Sequence, residues 1–111
     1  MGFKHREYLS GVKVFGCRSC SNHLTTQELL ESTAFTGKHG AAWLFESVSN
    51  ILLGPQVERH MTTGLHLVRD ISCNKCNEVI GWKYDRAFPE LQRYKENKFI
   101  LETRRIVEIS S

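Results

Sequence analysis

The chain has 111 residues, of which 41% are apolar, 24% charged and 10% aromatic, and its net charge is +3. These figures suit one small globular domain with a thin stability margin. They exclude a low-complexity chain, and no apolar run approaches the roughly 18 residues of a membrane span.

In chain order, "MGFKHREYLS" has no signal-peptide core. Arg6 stands where a myristoylation motif after Gly2 has Ser or Thr. Residues 1–11 therefore read as an N-terminal tail, and a reducing compartment is expected. "GVKVFG" alternates apolar and polar residues and predicts a strand running into the first cysteine pair. "TTQELLEST" predicts a helical turn or two, with Thr25 or Thr26 as cap and Glu28 near the N-terminal dipole. "AAWLFESVSNILL" reads as one long strand through Val48 and Asn50 that ends at the Gly54–Pro55 turn signal, with Trp43 and Phe45 interior. "QVERHMTTGLHLVRDISC" predicts two strands broken near Thr63–Gly64, and "EVIGWKY" a further strand. "PELQRYKEN" predicts a short helix with Pro89 at its first position, and "NKFILETRRIVEI" a last strand. The fold class is mainly β with little helix.

Cys17 and Cys20 have two residues between them, and Cys73 and Cys76 repeat that spacing after 52 intervening residues. In a reducing compartment such pairs read as metal ligands or redox groups. A thioredoxin-type pair opens a helix in a βαβ unit, and no such unit is visible. The separation is too long for one compact zinc ribbon, so the fold must bring two distant knuckles together. Four thiolates make a closed tetrahedral zinc site with no position for substrate, which is a structural site. The chain has four cysteines, and this site uses them all. The rival third ligand is His23, which would leave a downstream cysteine spare.

Several stretches around these pairs carry a resemblance. They are "GKHGAAWLFESVSN", "TGLHLVRDISC", "IGWKY" and "YKENKFILE". Together with the CxxC spacing they resemble the Yippee family of small zinc-binding proteins, from about Val14 to Glu102. Asn97 stands where the family commonly has Gly. The resemblance implies one structural zinc held by Cys17, Cys20, Cys73 and Cys76. It also implies a β-tent of two antiparallel sheets, with residues 12–109 as the zinc-binding domain. Related tents are the thalidomide-binding domain of cereblon, a centromere-licensing family and the methionine-R-sulfoxide reductases.

Reductase chemistry needs a nucleophilic cysteine outside the zinc site, and this chain has no fifth cysteine. GxSxG, HExxH and P-loop motifs are absent too, so the expectation is not an enzyme. The five histidines are spread along the chain. By resemblance to cereblon, Trp82 and Tyr84 would wall a ligand or peptide pocket. They are two apart on one strand and so share a face. The other walls of that cage would fall on Met61 and Leu67, so a complete aromatic cage is absent. Core packing is the ordinary role of such aromatics and stands as the other reading.

The expected function is a zinc-stabilised, non-enzymatic adaptor with a protein partner. Kinship implies the nucleus and/or cytoplasm, and a link to cell division, growth control or ubiquitin-ligase assemblies. Two alternatives stand beside it. One is a zinc-dependent nucleic-acid module, although the basic residues are scattered and Arg104–Arg105 is the one tight pair singled out. The other is a small-molecule-responsive substrate receptor with a cereblon-like pocket.

Overall fold

A computed structural model describes residues 13–109. The expected tail over residues 1–11 lies outside the described residues. The strands are β1 Val14–Cys17, β2 His23–Thr26, β3 Leu30–Gly37, β4 Gly40–Phe45, β5 Ile51–Met61, β6 Gly64–Cys73, β7 Val79–Ala87, β8 Phe99–Glu102 and β9 Ile106–Ile109. They form a three-stranded sheet in the order β2-β1-β9 and a six-stranded sheet in the order β3-β4-β8-β7-β6-β5. The pairings are antiparallel. The architecture is mainly β, with two antiparallel sheets as expected.

Both expected helices shrink to 3₁₀ turns, Gln27–Leu29 and Glu90–Lys95. Segments this short do not repay the cost of helix nucleation. Thr26 precedes the first turn but makes no side-chain cap, and the Thr25 hydroxyl instead donates to the Ser47 carbonyl.

Three other expectations need correction. "AAWLFESVSNILL" is not one strand. β4 stops at Phe45 and β5 starts at Ile51 on the far edge of the same sheet. The connection is held against β2, where Ser49 N donates to Leu24 O at 2.6 Å, and Asn50 turns the chain at φ 59°. Gly54–Pro55 does not end its strand. The pairing moves from Leu53↔Ile71 to Gln56↔Arg69, which is a bulge. Proline is tolerated there because β5 is an edge strand with no second neighbour needing its missing N–H. Finally, "NKFILETRRIVEI" breaks at the 3₁₀ turn Thr103–Arg105, so that β8 lies in the large sheet and β9 in the small one. The break near Thr63–Gly64 is where it was expected, with Met61 paired to Gly64 and Gly64 at φ 112°. Asn97 takes φ 65°, a conformation Asn adopts more readily than most residues, so its turn keeps the geometry a Gly would give.

The large sheet has two working faces because side chains alternate along each strand. One face packs on the small sheet. There Phe45, Ile71, Ile80 and Leu101 meet Phe15, Leu24 and Ile106. Phe15 contacts Trp43 and Phe45 edge-on, with ring centroids 5.8 and 5.9 Å apart. Phe45 is fully buried and Trp43 half-buried. The opposite face carries a second cluster of Ala42, Leu44, Val68, Tyr84 and Ile100, flanked by Phe35, Met61 and Trp82. That second face has no sheet covering it among the described residues.

A candidate metal centre and a groove on the opposite face

Each cysteine pair opens the loop of a hairpin: Cys17 ends β1 and Cys20 lies in the loop to β2, and Cys73 ends β6 and Cys76 lies in the loop to β7. One hairpin belongs to each sheet. The two loops are built alike. Ser21 N donates to Cys17 O at 2.7 Å, and Asn77 N donates to Cys73 O at 2.8 Å. The residue after each second cysteine turns left-handed, Ser21 at φ 63° and Asn77 at φ 65°. Cys17 N closes its loop onto Asn22 O, and Cys73 N onto Glu78 O, both at 2.9 Å.

The four sulfur atoms lie within 4.8 Å of one another. Cys17 Sγ is 3.6 Å from Cys76 Sγ, and Cys20 Sγ is 3.5 Å from Cys73 Sγ. A disulfide needs about 2.05 Å, so these are free thiols. Tetrahedral zinc with bonds of about 2.3 Å sets its sulfurs about 3.8 Å apart, close to these spacings. The cluster fits one structural zinc. His23 does not belong to this group of ligand atoms.

Second contacts orient the sulfurs. The Asn22 side-chain amide donates to Cys73 Sγ at 3.4 Å and to Asn74 Oδ1 at 2.9 Å, and Lys75 N donates to Cys73 Sγ at 3.4 Å. Burial would raise the Cys73 thiol, but these donors and the Cys76 N–H outweigh it and bring it down to about 7. Burial pushes Cys17 up to about 12. The donors from Asn22, Lys75 and Cys76 thus favour a Cys73 thiolate, and a metal would hold all four deprotonated. The loops are also tied outside the sulfurs. Ser19 Oγ donates to Glu78 Oε2 at 2.6 Å, and Arg105 Nη1 reaches the same oxygen at 3.2 Å. Sequence reasoning missed Asn22, Asn74 and Glu78. They are ordinary loop residues whose side-chain partners named here are more than 25 residues away, so no local pattern marks them.

On the uncovered face of the large sheet lies a groove of about 940 Å³. It is bordered by Phe35, Met61, Trp82, Tyr84, Lys95 and Glu102. Phe35 and Met61 belong to β3 and β5, the two edges of the sheet, so the sheet curls around the groove. Trp82 pairs with Asp70 and Ile100, and Tyr84 with Val68, which sets both rings on the groove face. Tyr84 is 2% exposed, and its hydroxyl is pushed up by burial. Trp82 is half-buried, with its ring edge-on to Tyr84 at 6.4 Å. Met61 borders the groove, whereas Leu67 does not. Leu67 lies next to Val68 along β6, so it points to the other face.

A model of the family described as "Yippee zinc-binding/DNA-binding /Mis18, centromere assembly" matches residues 13–111. A yippee-like protein of Arabidopsis thaliana is 47% identical over 98 residues, covering 88% of this chain and 92% of its own length. Protein yippee of Drosophila melanogaster is 44% identical, covering 97% of this chain and 89% of its own. Yippee-like 4 of Homo sapiens is 44% identical, covering 93% and 82%. Among solved structures, the Mis18 "Yippee-like" domain superposes with a TM-score of 0.69 over 89% of this chain and 96% of that one. At 16% identity, that likeness concerns the fold alone. The family model and the relatives cover nearly the whole described chain, and the chain belongs to the Yippee family.

Proposed function

We propose that the chain is a non-enzymatic adaptor. Cys17, Cys20, Cys73 and Cys76 hold one zinc that locks the two sheets together, with residues 12–109 as the working domain. The groove bordered by Trp82 and Tyr84 receives a protein partner. The observation that carries this reading is the division of labour between the two faces of the large sheet. The thiol cluster is closed and committed to structure, while the opposite face has a groove of about 940 Å³ with a half-buried aromatic in its wall. Kinship adds the expected setting, the nucleus and/or cytoplasm, and a role in cell division, growth control or ubiquitin-ligase assemblies. No helix among the described residues is long and apolar enough to cross a membrane.

Affinity capture with the wild-type chain and with Trp82→Ala, read by mass spectrometry, tests the reading. The expected result is a reproducible partner set that Trp82→Ala loses while zinc content stays at one per chain. Identical capture by both proteins would refute the groove as the partner site.

A second reading is a nucleic-acid module, favoured by the net charge of +3 and by the words "DNA-binding" in the family description. It predicts an affinity for duplex or single strands that falls steeply with salt. Undetectable binding at low salt removes it.

A further inference from the structure

Lys95 is the most unusual charged group in the groove wall. It lies at the end of the 3₁₀ turn Glu90–Lys95 and is 3% exposed. Lysine is almost never buried to this degree without a counter-charge. Its Nζ donates to one neutral group, the Thr63 hydroxyl at 3.2 Å. It also faces the rings of Phe35 at 5.3 Å and Tyr84 at 5.4 Å. An ammonium has three donors, so two remain to be used among the described residues. No carboxylate pairs with it among the described residues. Burial lowers its pKa, as expected for a cation held without an anion.

Of the other charges of the groove, Lys38 has no ion pair among the described residues, and the rest are engaged. Arg59 pairs with Asp70 at 3.4 Å, and Glu102 has the Arg104 guanidinium at 3.9 Å.

We propose that the groove binds an acidic peptide segment of a partner protein, with an Asp or Glu carboxylate of that segment meeting the Lys95 ammonium. The aromatic rings hold Lys95 in place without neutralising it, so the incoming carboxylate supplies the missing charge. The volume of about 940 Å³ far exceeds what an inorganic anion fills and suits a short extended segment. This inference rests on the groove being the partner site and adds the chemistry of the partner.

The test uses zinc-loaded full-length chain on an array of short capped peptides. A central Glu, Gln or Lys is fixed and the flanks are randomised. Wild-type protein should be retained on the Glu spots about tenfold more than on the Gln spots, the scale of one charge-assisted hydrogen bond, and least on the Lys spots. Lys95→Met keeps the aliphatic bulk and should lose the Glu preference. Lys95→Arg keeps the charge and should retain it. Circular dichroism and zinc content check that each variant is folded. Retention without a Glu preference, or a Glu preference that survives in Lys95→Met, overturns the Lys95 assignment while leaving the groove as a partner site. Failure to retain any peptide overturns both.

Discussion

Gly81→Ala is the sharpest test of how the large sheet is assembled. Gly81 lies opposite Leu101, where β7 crosses β8. A Cβ there would stand 1.8 Å from the Ile100 carbonyl oxygen and 2.9 Å from the Ile100 carbonyl carbon. Both atoms are backbone, so no rotamer change relieves the clash. Ordinary contact begins near 3.5 Å, so the strands would have to separate by about 1.7 Å. Overpacking of this kind costs about 3 kcal/mol. Each ladder hydrogen bond lost between β7 and β8 adds about 1 kcal/mol. The total, about 3–5 kcal/mol, is a large share of a domain stability of about 5–15 kcal/mol. Thermal unfolding of the zinc-loaded protein by circular dichroism should show the midpoint falling by about 10 °C or more. Gly40→Ala is the control. Nothing lies within 4 Å of its Cβ position, but its φ of 120° strains any side chain, so the expected loss is about 1 kcal/mol. If Gly81→Ala melts within about 2 °C of wild type, the close approach of β7 and β8 is wrong. So then is the register that sets Trp82 in the groove wall.

Two further predictions concern the metal and an ion-pair cluster. Cys17→Ser and Cys73→Ser should each remove the zinc and destabilise equally, His23→Ala should leave it bound, and a chelator should unfold the domain, all read by elemental analysis and circular dichroism. A harmless Cys73→Ser alongside metal loss in His23→Ala would overturn the four-thiolate ligand set. Burial alone would raise the Asp85 carboxyl, but hydrogen bonds from Gln56 at 2.7 Å, Arg69 at 2.6 Å and Lys83 at 3.0 Å bring it from 3.8 down to about 2. The folded-state value is the lower one, so this stabilisation is complete above the unfolded value and drains away as pH falls from about 4 towards 2. Asp85→Asn should therefore cost about 2 kcal/mol at neutral pH in denaturant titrations. Its deficit should shrink on acidification to pH ~3. Zinc release in acid affects both proteins and cancels in the difference. A deficit that does not change with pH would mean that packing, not charge, is lost.

The cysteine arithmetic was enough to predict one long-range clamp. Four thiols in two equal pairs, each with the spacing of metal ligands, point to a metal as the agent that joins them. The segments of β6 and β7 were read as strands, and Gly64 marked the turn between β5 and β6, because turns are written in neighbouring residues. Sequence alone did not tell where a chain that still looks like a strand leaves its sheet. Ala41 to Leu53 and Asn97 to Ile109 each read as one strand. They break because Asn50 and the Thr103–Arg105 turn carry the chain from one sheet partner to another. That choice depends on which backbone groups are free to pair elsewhere, and no local propensity contains it. The same holds for Lys95. In the sequence it is one of 15 basic residues, and only folding lays its turn over Phe35 and Tyr84 and makes it a buried cation. The metal site was legible because its chemistry lies in the residue types themselves. The groove was not, because it is made by the curl of the sheet, and curl comes from the register of strands that are far apart in the chain.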